Sequence, residues 1–331
     1  MNKYLIIRSI CITLMLIFMT CGILSIIALS IFGMYIWPKK EALEYTWFND
    51  IKCPPNDYCP YVIRDELWTS KKDINPESNK YDANISKLCL DLISRLSNYK
   101  LKNILDRNLN KNIKLIGTFS NNPNDPTFGA LWSEKDENNS VTAWLSFRGT
   151  SEKSAKEISD DLNYEQLSYT KISNNNPGVQ NSLKVDNNVK IHGGFLDVYN
   201  QFRISLLDQL KKLKPNLIII SGHSLGSGVA TICSLDLSNQ FTVPILNYVF
   251  ASPRVGNKEF CDLITNQKKL QMYRIINTCD IIPTLPLSVC PNFSNHKQPY
   301  FYQHCGIVIS FTDNWFSLAN NHELPIYINN I

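Results

Sequence analysis

The 331-residue chain has no long lysine or arginine block, no Cys-x-x-Cys pair, no histidines at metal-ligand spacing and no internal repeat. The first absence removes the electrostatic footprint of a nucleic-acid binder, because a net charge of +4 is small for this length. The second and third remove a structural zinc site, and no cofactor is expected. What remains is a chain long enough for a membrane segment and one large domain, or for two small domains. Asparagine runs such as Asn174 to Asn176 read as solvated loops.

A further absence marks the N-terminus. No charged side chain occurs from Ser9 to Trp37, where Leu, Ile, Met and Phe dominate. A helix of about 20 such residues spans a bilayer, and a secretory signal has an apolar core of only about 7–15. Residues 1–37 are therefore expected to be a retained single-span anchor, ending on Tyr35, Ile36 and Trp37 at the interface. A signal peptide is the alternative. Lys3 and Arg8 precede the run and Lys39 and Lys40 follow it, so charge barely orients it. Export of the remainder to a lumenal or extracellular space is favoured by three glycosylation-type triplets, at Asn84, Asn138 and Asn292. Cysteine points the same way. Cys53 with Cys59, and Cys290 with Cys305, are placed to form disulfides in an oxidising compartment, with free buried thiols as the alternative.

Residues 38–80 are polar, proline-bearing and aperiodic, a stalk or irregular cap. Residues 81–331 read as one domain. Helical spacing of Ile85, Leu88, Leu92, Ile93 and Leu96 predicts a helix over 81–105. Strands are predicted over 113–119, 128–132 and 141–147. Strand and helix then alternate: helix 195–213, strand 217–221, helix 225–237, strand 245–251, helix 258–265, strand 272–277 and a last strand over 302–311. The three consecutive isoleucines at 218–220 mark a strand buried on both faces. Such alternation predicts a mostly parallel sheet covered by helices on both sides.

Gly222-His223-Ser224-Leu225-Gly226 follows that isoleucine strand and opens a helix. A strand-to-helix turn this tight excludes side chains two places either side of the serine, and glycine stands at both. Ser224 is thereby the candidate nucleophile. The Leu225 N–H at the helix start is a candidate oxyanion donor. A capping serine at a glycine-rich helix start is the plainer alternative. The nucleophile reading requires the Ser224 hydroxyl to lie open beside an imidazole.

An acid and a base must follow. Asp236 and Asp262 fall in predicted helices, whereas Asp280 stands just beyond the carboxyl end of strand 272–277, where α/β sheets carry their chemistry. Asp280 is the candidate acid. His192 and His223 precede or adjoin the serine and drop out on chain order. His296, His304 and His322 remain: His304 starts an apolar strand and suits a packed structural role, and His322, in a polar loop, is the favoured base. Phe147-Arg148-Gly149-Thr150 ends an earlier strand, and Thr150 is the candidate second oxyanion donor.

Together these segments resemble the class 3 lipases, the family of the fungal triacylglycerol lipases. The resemblance runs from about Phe128 to the C-terminus. Phe147–Thr150, Ile191-His192-Gly193-Gly194-Phe195, Gly222–Gly226, Ser252-Pro253-Arg254-Val255-Gly256-Asn257, Asp280-Ile281-Ile282-Pro283 and His322 with Tyr327 carry it. It implies an α/β-hydrolase fold and hydrolysis of acylglycerol esters through Ser224, Asp280 and His322. It also implies an oxyanion role for Thr150 and a structural one for His304. A phospholipase A1, a general carboxylesterase and an inactive membrane-anchored binding protein are the alternatives. The family's lid would fall on Ser151 to Tyr164. That stretch lacks the usual tryptophan and is polar over Glu152 to Glu157, so strong activation by an oil surface is not expected.

Overall fold

The computed structural model describes residues 81–98, 104–105, 109, 112–120, 127–150, 164–172, 187–292 and 298–331. The expected anchor over 1–37, the stalk over 38–80, Cys53, Cys59, His296 and the lid stretch up to residue 163 lie outside them. Among the described residues no helix is long and apolar enough to cross a membrane.

Helix α1 (Ala83–Ser97) opens on Asp82, whose carboxylate accepts the N–H groups of Asn84 and Ile85. The five apolar residues that predicted it are all buried. It stops well short of the expected Leu105. Asn98 turns its side-chain amide back onto the Ser94 carbonyl at 2.9 Å and its N–H onto Ser94 and Arg95, which closes the last turn.

Strands β1 (Ile113–Phe119), β2 (Gly129–Lys135) and β3 (Val141–Phe147) form an antiparallel run. An antiparallel pair, β4 (Gln166–Ser168) with β5 (Lys190–His192), leads into helix α2 (Gly193–Leu213). The α/β alternation follows: β6 (Leu217–His223), α3 (Leu225–Gln240), β7 (Ile245–Phe250), α4 (Lys258–Thr265) and β8 (Leu270–Asn277). After a second antiparallel pair, β9 (Val289–Cys290) with β10 (Tyr300–Phe301), come β11 (Ile307–Phe311), α5 (Leu318–His322) and α6 (Leu324–Asn330).

Among the described residues seven strands share one sheet in the order β1-β2-β3-β6-β7-β8-β11, and from β3 onward every pairing is parallel. Strand β6 at its centre is buried along its whole length. Its side chains alternate between two cores. Ile218 and Ile220 pack under α2, α3 and α4 with Phe195, Leu206, Val229 and Phe260. Ile219 packs on the other face with Leu88, Leu92, Trp144, Leu324 and Ile326, beneath α1 and α6. The sheet is thus sandwiched by helices, as the alternation required.

The last strand starts later than predicted. Gln303 pairs across to Gly256 and Tyr302 bonds to the Ser288 carbonyl, which hold residues 302–303 outside the sheet. Gly306, at φ +84°, then turns the chain into β11 close against the Met272 backbone. His322, expected in a loop, ends the one-turn helix α5, which Ser317 caps through the Asn320 N–H.

Candidate active site

Parallel strands deliver their carboxyl ends to one edge of the sheet. Phe147 pairs with Gly222, His223 with Phe250, Phe250 with Ile275, and Asn277 with Phe311. The segments after β3, β6, β8 and β11 therefore converge, and these segments carry Thr150, Ser224, Asp280 and, at the end of α5, His322.

Ser224 sits at φ 55° and ψ −124°, a strained backbone that the surrounding structure must impose. Its N–H bonds to the Phe250 carbonyl at 3.1 Å. The flanking glycines are required by contact. A β-carbon on Gly222 would collide with the Gly226 carbonyl, and one on Gly226 with the Phe147 and Arg148 carbonyls of the neighbouring strand. The second collision was not foreseen: Gly226 also lets α3 approach the end of β3. The Ser224 side chain makes no capping bond to α3, which removes the plainer reading of a capping serine.

The structure brings Ser224, His322 and Asp280 together. His322 Nε2 lies 2.8 Å from Ser224 Oγ, and His322 Nδ1 lies 2.8 Å from Asp280 Oδ2. A carboxylate only accepts, so Nδ1 carries the hydrogen and Nε2 is left to accept from the serine hydroxyl. Asp280 also accepts from the Ile282 N–H at 2.9 Å and from the Tyr327 hydroxyl at 2.7 Å. Burial, and then the Asp280 charge, hold the Tyr327 phenol well above its ordinary range, so it stays a donor.

One expectation fails here. Ser224 is 1% exposed, and Asp280 and His322 are nearly as covered, so the hydroxyl faces an imidazole but not open solvent. Packing between β3, the elbow and α5 accounts for part of the cover. A β-carbon on Gly149 would lie only 3.2 Å from the Ser224 β-carbon.

Arg148 is buried and donates from Nη1 to the Gly149 carbonyl at 2.7 Å and from Nε to the Thr127 carbonyl at 3.1 Å. In a trans peptide the N–H points opposite the carbonyl, so this grip also aims the Thr150 N–H. Thr150 itself is exposed. Leu225 opens α3, where its N–H has no intrahelical acceptor.

The other candidates have different partners. His304 Nε2 donates to the Pro283 carbonyl at 2.7 Å, which braces the chain just after Asp280, and burial pushes its pKa down to about 3. His192 caps α2 by accepting the Phe195 N–H and stacks on the Phe195 ring at 4.0 Å; burial pushes it down to about 3. Asp236 is buried against Tyr199 and a bidentate Arg203, and Asp262 pairs with Lys258 at the surface. Cys290 and Cys305 are free thiols: Cys290 donates to the Leu287 carbonyl, and Cys305 lies against the Cys261 thiol.

Sequence reasoning missed the residues that tie the Asp280 loop to the segment carrying His322. Asn277 Nδ2 donates to the Asp313 and Asn321 carbonyls, and Asn321 Nδ2 donates to the Cys279 carbonyl. It also set His223 aside, yet His223 lies against His322.

A mostly parallel sheet with helices on both faces, and a strand-to-helix elbow at its carboxyl edge, define an α/β-hydrolase-like fold. The Rhizomucor miehei lipase in its propeptide complex has the same fold, with a TM-score of 0.50 and 21% identity, covering 80% of this chain and 79% of that one. The stretch 144–290 matches the family model of the lipases (class 3). The Rhizomucor miehei lipase sequence is 30% identical over 153 residues, 44% of this chain and 38% of its own length. Phospholipase A1-II 1 of Oryza sativa subsp. indica is 35% identical over 116 residues, 29% of this chain and 30% of its own length. The chain thus spans about a third of the length of these two relatives.

Proposed function

We propose that the chain is a serine hydrolase that cleaves carboxylic esters of acylglycerols, with Ser224 as nucleophile, His322 as base and Asp280 as its orienting acid. The observation that carries this reading is the pair of 2.8 Å contacts from one imidazole, to Ser224 Oγ on one side and to Asp280 on the other. His322 takes the Ser224 proton as the oxygen attacks the ester carbonyl. Asp280 keeps the ring in the tautomer that can accept and stabilises the imidazolium. Negative charge develops on the carbonyl oxygen, where the Leu225 N–H and the N–H and hydroxyl of Thr150 donate. Collapse expels the alcohol, which takes its proton from His322. Water then repeats the sequence on the acyl-enzyme and releases the carboxylic acid. Ser224 meets its imidazole but not solvent, so the proposal holds only if the groups covering the hydroxyl move aside to open it to an ester.

A phospholipase A1 is the second reading, supported by the likeness to the rice enzyme. Hydrolysis of emulsified triolein, phosphatidylcholine and short p-nitrophenyl esters separates the two. Triolein turnover above phosphatidylcholine turnover supports the first reading, and the reverse order the second. Failure on all three supports a binding protein on a hydrolase fold.

Residues 1–37 are part of the proposal as a single-span anchor, on the strength of the charge-free run from Ser9 to Trp37. A lumenal or extracellular catalytic domain is supported by the exposure of Asn84 and Asn138 within their glycosylation-type triplets. Retention in the membrane pellet after alkaline carbonate and a mass shift on deglycosylation are the expected results.

A further inference from the structure

We propose that His223 is a positioning residue that holds His322 over the nucleophile. The role rests on the ester-hydrolase reading. His223 is the last residue of β6 and the immediate neighbour of Ser224, so one strand end presents both the hydroxyl and the clamp on its partner. His223 Nε2 lies 3.0 Å from the His322 carbonyl oxygen. A carbonyl only accepts, so Nε2 carries the hydrogen and donates. The two imidazole rings stack at 4.9 Å with 30° between their planes, and the Tyr327 ring stands edge-on to His223 at 5.7 Å. The backbone and the ring of His322 are thus both held from the nucleophile's own strand.

The clamp matters because His322 sits at the end of a five-residue helix that cannot be rigid by itself. The Asp280 contact fixes the Nδ1 side of the ring, and the Asn321 bonds fix the preceding residue. Only the His223 bond reaches the His322 backbone from the Ser224 side among the bonds that the described residues give to that carbonyl. Burial, and then the nearness of His322, keep His223 neutral well below the ordinary histidine range. A neutral ring lies beside His322 without opposing the imidazolium that forms there. Apolar packing alone would not call for a donor at this point.

The test compares wild type with His223→Phe, which keeps an aromatic ring and loses the donor, and His223→Gln, which carries an amide N–H at similar reach. Steady-state hydrolysis of p-nitrophenyl butyrate is measured well below each variant's melting temperature. His223→Phe is expected to lose about tenfold or more in kcat with KM within twofold, since small misplacements of a catalytic group cost one to two orders of magnitude. His223→Gln is expected to recover most of that loss. Wild-type kcat in His223→Phe, or a His223→Gln as slow as His223→Phe, overturns the role while leaving the hydrolase reading intact. A wild type no faster than Ser224→Ala overturns both. Should His223→Phe not fold, nitrogen-15 NMR of the histidine-labelled wild type decides: hydrogen on His223 Nε2 is expected, and hydrogen on Nδ1 alone overturns the proposal.

Discussion

Replacing Tyr327 by phenylalanine separates the bracing of Asp280 from the proposed chemistry. The ring is fully buried, so phenylalanine fills the same space and only the hydroxyl is lost. That hydroxyl donates to Asp280 Oδ2 at 2.7 Å and accepts the Asn277 N–H at 3.2 Å. The first bond is to a charged group and is worth about 1.5–3 kcal/mol; orphaning the Asn277 N–H costs about 1–3 kcal/mol more. The expected destabilisation is about 3–5 kcal/mol, and at about 2–4 °C per kcal/mol for a domain of this size the melting temperature falls by roughly 10 °C. Turnover falls less. Asp280 retains its bonds to the Ile282 N–H and to His322, so the imidazole keeps its tautomer and kcat drops by about tenfold. Calorimetry and p-nitrophenyl ester hydrolysis at 20 °C check both numbers. An unchanged melting temperature, or a kcat as low as that of Ser224→Ala, would refute the assignment of Tyr327 as a brace.

Three further outcomes follow from the same contacts. His192 and His304 are held neutral down to about pH 3, whereas unfolded histidine takes up a proton near 6.5, so their contribution is full above 6.5 and is lost as pH falls from 6.5 towards 3. Urea melts at pH 7, 5.5 and 4.5 should show stability falling by about 1.4 kcal/mol per pH unit per histidine, and a flat profile contradicts this. His322→Ala should lower kcat by about 10³-fold or more, while His304→Ala should cost about 1–3 kcal/mol of stability through the orphaned Pro283 carbonyl yet keep turnover. The reverse pattern in the same two assays moves the base to His304. Gly226→Ala drives a methyl into the backbone of β3, so melts should show a loss of about 1–3 kcal/mol together with lost turnover. A wild-type melt would show that α3 can shift cheaply.

The centre of the fold and the elbow were legible because they depend on neighbours in sequence. The isoleucines at 218–220 and the glycines at 222 and 226 carry their own geometric reasons. The place of Asp280 past a strand end was legible, and there its carboxylate meets His322 Nδ1 at 2.8 Å. Endings were not. Asn98 closes α1 by a side-chain bond that competes with helix continuation, and Gly306 delays β11 by a left-handed turn. The bonds from Asn277 and Asn321 join residues 36 to 44 apart in sequence, and no local pattern announces them. Chain order excludes His223 as a proton acceptor and carries no sign of its bond to the His322 carbonyl, 99 residues away. The cover over Ser224 is a property of packing that a linear motif does not contain.

The central claim is tested most directly by treating the full chain with a fluorophosphonate and locating the adduct by peptide mass spectrometry. One phosphonyl group is expected, on Ser224, absent in Ser224→Ala and strongly slowed in His322→Ala. A wild type that takes no label in detergent solution, or that takes it on another residue, would contradict it.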